Sequence, residues 1–273
     1  MLDNIRDLVR GEGLRRKMRA KAIRVVDDAL APYHRDQTRR IQHLEEQLDA
    51  LRSNVLDRIV EFEVRSRRDI VYAADLDAAL QTSRFVLEHM PAARHFARPQ
   101  ETLEYALSLA PTGGMALEFG VYSGTTLKTI STARADGAVY GFDSFTGLPE
   151  DWRTGFTAGM FHVDELPEVP GAELVVGQFD DTLPGFLDAH RGPVDFVHVD
   201  GDLYSSAKTV LELVGPRMRP GCIVVFDEFF NFPNWQQHEY RAWREYVART
   251  GVEFSYLAYT YCDEQVVVRI DGD

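Results

Sequence analysis

From Met115 onward, short apolar runs alternate with stretches of helical spacing, and this alternation restricts the fold more than any other feature of the chain. The runs are MALEFG (115–120), AVYGFD (138–143), ELVVG (173–177), VDFVHVD (194–200) and CIVVFDE (222–228). Helical segments fit between most of them, for example 124–133 and 205–214. Such alternation builds a parallel sheet covered on both faces. Two later runs, FSYLAYTY (254–261) and EQVVVRI (264–270), are joined by little more than Cys262 and Asp263. So short a join cannot hold a crossover, which makes these two strands antiparallel to each other. The expected fold is α/β: a doubly wound, Rossmann-like sheet of seven strands whose last two form an antiparallel hairpin.

The first 70 residues carry no strand pattern and form a helical extension. After Gly13 their only Gly or Pro is Pro32. Ile41, Leu44, Leu48, Leu51 and Val55 step by three and four, which is the seam of a short coiled coil or the inner face of an amphipathic helix. A seam would make the chain a homo-oligomer. Residues 71–273 form the main domain, and its first part, 71–114, is a helical cap ending at Pro111, Gly113 and Gly114.

Charge divides along the same boundary. Residues 1–69 hold 16 Lys/Arg against 13 Asp/Glu, a balance of +3, so the remainder carries −16 of the total of −13. So acidic a domain repels nucleic-acid phosphates, and a DNA or RNA substrate is not expected. No apolar run approaches the roughly 20 residues of a membrane helix, and MLDNIRDLVRGEG does not resemble a signal peptide. A cytoplasmic location is expected, with no integral membrane segment. Cys222 and Cys262 sit in strand-like apolar runs with no metal-binding spacing and read as reduced core residues.

In such sheets ligands sit at the carboxyl ends of the strands. Four of these ends carry acids: Glu118, Asp143, Asp200 with Asp202, and Asp227 with Glu228. The first strand runs into Gly120-Val121-Tyr122-Ser123-Gly124-Thr125. Its glycines let backbone approach a ligand, while Ser123 and Thr125 are placed to cap the next helix, whose first N–H groups suit a carboxylate. The dinucleotide pattern G-x-G-x-x-G is absent. Asp143, 25 residues after Glu118, suits the two hydroxyls of a ribose. Together these residues favour S-adenosylmethionine over NAD. The cofactor set is Glu118, Gly120, Tyr122, Ser123, Gly124, Thr125, Asp143, Ser144 and Phe145, with Gln178 and Phe179 at the adenine.

Asp200, Asp227 and Glu228 fall on neighbouring strand ends, where three carboxylates repel one another unless a cation or a proton intervenes. A hard ion such as Mg²⁺ accepts carboxylate oxygens, which makes these three the candidate metal ligands. Asp200 and Asp202 are the candidate catalytic acids or bases, although Asp202 could instead cap the following helix. His198 alternates with Asp200 and reads as a core histidine or a site residue. The aromatic stretch Phe229–Trp235 is a candidate substrate wall that His238 follows. Residues 144–170, rich in Gly, Pro and aromatics, are too long for a simple connection and read as a partly ordered lid.

The stretches LEFGVYSGTT, YGFDSFTGLPEDW, FDDTLP, VHVDGDLYSS and VVFDEFFNFPNW, in this order between Met115 and Tyr246, resemble the macrocin O-methyltransferase (TylF-like) family. The resemblance implies a Mg²⁺-dependent class I enzyme that methylates hydroxyls of sugars or other natural products. By position, Asp200, Asp227 and Glu228 match its metal carboxylates, and Glu118, Gly120 and Asp143 its cofactor contacts. Glu228 stands where the family often has a second aspartate, and residues 1–70 have no counterpart. The small-molecule acceptor would carry a sugar. Two other readings stay open from the residues alone: a metal-independent enzyme with Asp200 as general base, and a catalytically silent, oligomerising domain.

Overall fold

The structure is a computed structural model that describes residues 2–135 and 137–272, with side-chain environments from residue 13 onward. The chain divides into two compact units, residues 1–69 and 70–273.

The first unit is a single helix, α1 (Leu2–Arg68). Exposed pairs one turn apart, Asp36–Arg40 at 3.0 Å and Glu63–Arg67 at 3.1 Å, support it along its length. Pro32 lies inside it and removes one backbone hydrogen bond.

The second unit opens with α2 (Ile70–His89), a short strand β1 (Arg94–Phe96) and α3 (Pro99–Leu109). There follow β2 (Met115–Phe119), α4 (Thr125–Ala133), β3 (Val139–Asp143), β4 (Glu173–Val176), α5 (Phe179–Ala189), β5 (Val194–Val199) and α6 (Tyr204–Val214). The chain continues with β6 (Met218–Phe226), α7 (Glu239–Thr250), β7 (Glu253–Thr260) and β8 (Val266–Gly272). The sheet order is β1-β7-β8-β6-β5-β2-β3-β4. Strand β8 runs antiparallel to both neighbours, and every other pairing is parallel.

The sheet thus has eight strands where seven were expected, and the region 71–114 is not wholly helical. Arg94, His95 and Phe96 pair with Ala258, Tyr259 and Thr260 of β7. Three residues with one apolar member are too short to show a strand period in the sequence.

Side chains alternate across the sheet. Leu117, Phe119, Val197, Val199, Val224 and Phe226 enter one core with residues of α2, α5, α6 and α7. Ala116, Phe196, Ile223 and Val225 enter the other with α3 and α4. This parity decides where the polar residues of the central strands go. Glu118 and His198 are register partners across β2 and β5, and both lie on the α3/α4 side.

Candidate active site

The strand ends are stitched together by backbone bonds beyond the regular ladders. Gly120 N–H donates to Phe142 O, Asp200 N–H to Phe119 O and Asp227 N–H to Val199 O, at 2.8–2.9 Å. Gly120 has φ +97°, and a Cβ there would overlap the carbonyl oxygen of Asp200. Only glycine fits so close a crossing of β2's exit over β5's exit.

A cleft of about 300 Å³ opens above these ends. Its floor and walls include Gly120, Tyr122, Asp143, Ser144, Gln178 and Phe179 from the expected cofactor set. Asp200, Asp202 and Glu228 line the same cleft. Asp143 accepts from Val121 N–H (2.8 Å), Tyr122 N–H (2.9 Å) and Phe145 N–H (2.7 Å). A carboxylate has about four acceptor positions, so one remains for a ligand hydroxyl. Asp143 therefore shapes the loop after β2 as well as facing the cleft.

Other members of the set are placed differently. Glu118 does not line the cleft: it is fully buried, and its Oε1 lies 2.8 Å from His198 Nδ1. Phe145 is buried in the α3/α4 core. Gly124 itself is the N-cap of α4, with φ +74°, and is packed under Val169 and Pro167. Ser123 and Thr125 bond to each other at 2.9 Å and do not cap the helix.

The acids at the ends of β5 and β6 converge. Oxygens of Asp200 and Asp227 lie with a ring nitrogen of His198 within 4.8 Å of one another. His198 Nε2 is 3.5 Å from Asp227 Oδ1, so Glu118, His198 and Asp227 form a chain across three strands. Burial opposes a charge on His198, but hydrogen bonds to Asp227 and Glu118 outweigh it and hold the ring's pKa well above its usual value. Burial likewise works against the charge on Asp227, and the bond to His198 keeps its pKa low. Burial and then the charge of Asp227 push Asp200 and Glu228 well above the usual carboxylate range.

Glu228 adjoins the His198 group, its side chain within hydrogen-bonding reach of Asp227. It is buried close to Glu239, whose Oε2 accepts from Glu228 N–H at 3.0 Å. Glu228 Oε2 and Glu239 Oε1 have no hydrogen-bond partner among the described residues. Asp202 adopts φ +62° and does not cap α6, whose N-cap is Leu203. Burial raises its pKa to about 7, against the pull of Arg153.

Residues 144–170 are folded over the cleft. Leu148, Trp152 and Leu203 make a small core with Phe156, and Leu148 exchanges backbone bonds with Gly159 and Met160. Arg153 holds Glu264 at the β7–β8 turn through both carboxylate oxygens at 2.9 Å and lies 3.9 Å over the Trp152 ring. Sequence reasoning missed Arg153, although the YGFDSFTGLPEDW stretch ends one residue before it. The aromatic stretch after β6 is not a substrate wall: Phe229, Phe230, Phe232 and Trp235 are buried in the core. His238 packs between Phe232 and Trp152, where burial lowers its pKa. Cys222 is buried as expected, whereas Cys262 is exposed in the hairpin turn.

Among the described residues no helix is long and apolar enough to cross a membrane.

Residues 117–229 match the family model described as a methyltransferase domain. The chain is 28% identical over 158 residues to 8-demethyl-8-(2,3-dimethoxy-alpha-L-rhamnosyl)-tetracenomycin-C 4'-O-methyltransferase of Streptomyces olivaceus. That alignment covers 47% of this chain and 59% of the relative, so the chain spans little more than half of that protein's length. Among solved structures, the calicheamicin methyltransferase CalS11 superposes with TM-score 0.51 at 25% identity, covering 62% of this chain and 76% of that one. The matched residues run from within β2 to just past β6 and take in the acids at these strand ends, so over this stretch the chain is similar to a methyltransferase domain.

Proposed function

We propose that the protein transfers a methyl group from S-adenosylmethionine to a hydroxyl of a sugar or glycosylated natural product, assisted by a divalent cation. The observation that carries this reading is one cleft lined both by Asp143, Gln178 and Phe179 and by Asp200, Asp202 and Glu228. The name of the tetracenomycin-sugar relative supports the class of acceptor.

The donor set fits a hard cation. Half-buried Asp200 and Asp227 and buried Glu228 repel one another at the ends of β5 and β6, and the unpartnered oxygen of Glu228 adds a free acceptor. Asp200 and Asp227 would hold the ion, with the neighbouring Glu228 as the third carboxylate. A bound cation supplies Lewis-acid charge that lowers the pKa of an acceptor hydroxyl.

The chain's own residues supply the rest. Asp143 offers its remaining acceptor position to a ribose hydroxyl, and Phe179 offers a ring face to the adenine. Asp202, at about 7, is tuned to take the acceptor's proton near neutral pH. Trp152, Phe156 and Arg153 cover the cleft and exclude water from the transfer. The test is incubation with S-adenosylmethionine and a panel of rhamnosides, followed by mass spectrometry. A methylated rhamnoside and loss of turnover on chelation, with S-adenosylmethionine still bound, support the reading. Full activity after exhaustive chelation, with no metal detected, overturns the cation's part and leaves Asp200 or Asp202 as a simple base.

A further inference from the structure

Helix α1 carries an apolar stripe longer than the Ile41–Val55 seam. It begins at Ile23, Val26, Leu30 and Tyr33, passes Gln37, and resumes at Ile41, Leu44, Leu48 and Leu51. Val55 and Ile59 complete it. The steps run three, four, three, four and four residues, and the set then repeats: Ile23 to Ile41 is 18 residues, as is Ile41 to Ile59. Eighteen residues in five turns is about 3.6 per turn, the period of an undistorted α-helix. A strict seven-residue repeat would drift round the helix and demand a supercoil; this pattern does not. The stripe therefore stays on one side of a straight helix for about 54 Å at 1.5 Å per residue. Its ten apolar members are each 44–65% exposed.

The residue choice along the stripe and the charges beside it select the occupant. In the repeat from Ile41, β-branched Ile41 and Val55 take the first position, the one that follows a four-residue step, with Leu48 the exception, and Leu44 and Leu51 take the second. This distribution favours two parallel strands. In a parallel, in-register pair, the residue before the first position faces the one five places later on the other chain. Arg40 then meets Glu45 of the partner subunit, and Arg58 meets Glu63 of the partner subunit. The other flanking pairs, such as Ala22 with Asp27 and Gln47 with Arg52, bring no like charges together. The pairs that Arg40 and Glu63 now make with Asp36 and Arg67 are exposed and weak, and they leave both groups free to turn. Gln37 would face its own copy, a polar contact that holds register. Pro32 falls off the stripe.

We infer that α1 is a dimerisation helix that pairs in parallel and in register with α1 of a second copy of this chain. The test uses the full chain with Cys262→Ser as background, Cys222 being buried. Light scattering should give the mass of two 31.0 kDa chains. Val26→Cys and Leu51→Cys, each made alone, should both form disulfide-linked dimers on mild oxidation. The double variant Leu44→Glu/Leu48→Glu should scatter as a single chain while keeping native S-adenosylmethionine affinity. A single-chain mass for the unsubstituted protein overturns the inference. So do cysteine variants that link only when Val26→Cys is mixed with Leu51→Cys, because that marks an antiparallel pair.

Discussion

Replacing His198 with Met removes the middle of the Glu118–His198–Asp227 chain. Glu118 is fully buried and bonds to His198 at 2.8 Å, with Thr126 as a second, neutral partner. Its carboxyl must then carry an unpaired charge in the core or take up a proton, and burial already raises its pKa. Breaking a buried ion pair from one side costs about 3–5 kcal/mol. In a domain of this size about 1 kcal/mol moves Tm by roughly 2–4 °C, so His198→Met should lower it by roughly 6–20 °C. Replacing both members, Glu118→Met with His198→Met, should recover much of the loss, since apolar residues of similar volume often match a buried pair. Scanning calorimetry of the two single variants and the double closes the cycle. The expected coupling is about 2 kcal/mol or more. Additive losses, or a His198→Met effect below about 1 kcal/mol, would refute the argument that the pair holds these strand ends. The milder Glu118→Gln separates this role from a cofactor contact. It should leave S-adenosylmethionine affinity within about twofold of the native value, less than one lost hydrogen bond allows.

Asp143→Ala should weaken S-adenosylmethionine binding about tenfold or more by calorimetry, since it removes a charged acceptor and frees three N–H groups of the loop; unchanged affinity in a folded variant would take Asp143 out of the site. Asp202→Asn should lower kcat by about 10²–10⁴ with little change in cofactor affinity, and an unaltered kcat assigns the proton elsewhere. Arg153→Ala should raise KM for the acceptor more than it lowers cofactor affinity, because it frees residues 144–170 from Glu264. Mg²⁺ binding should weaken as pH falls below neutral and should release protons: the raised carboxyls of Asp200 and Glu228 are protonated more readily, and a ligand must be ionised. Calorimetry in two buffers of different ionisation enthalpy measures that release, and its absence would count against these carboxyls as ligands.

The sheet was legible in the sequence because its central strands are buried on both faces and read as unbroken apolar runs. Strand β1 was not, since three residues at an edge leave no period. Acids at strand ends marked the cleft, and Asp143, Asp200 and Asp202 do line it. The sequence could not distinguish an acid that faces the cleft from one that faces a neighbour. Glu118 differs from Asp143 in this respect because it sits within β2, in register with a histidine of β5. Strand parity offered a signal, as 118 and 198 share a face, but using it required the pairing of β2 with β5. Residues 229–235 misled because aromatics suit a substrate wall and a core equally well. Arg153 was invisible because its partner, Glu264, lies 111 residues away.

The crossing at Gly120 separates two properties that the proposed methyl transfer has to set. Backbone of the loop after β2 rests directly on backbone at Asp200, with no side chain between them that mutation could trim or extend. Residues 144–170 have a small core of their own, closed by one ionic latch. A lineage acquiring a new acceptor can therefore remodel the cover while the spacing between donor end and acceptor end stays fixed by the main chain. Selectivity is adjustable here, and reach is inherited.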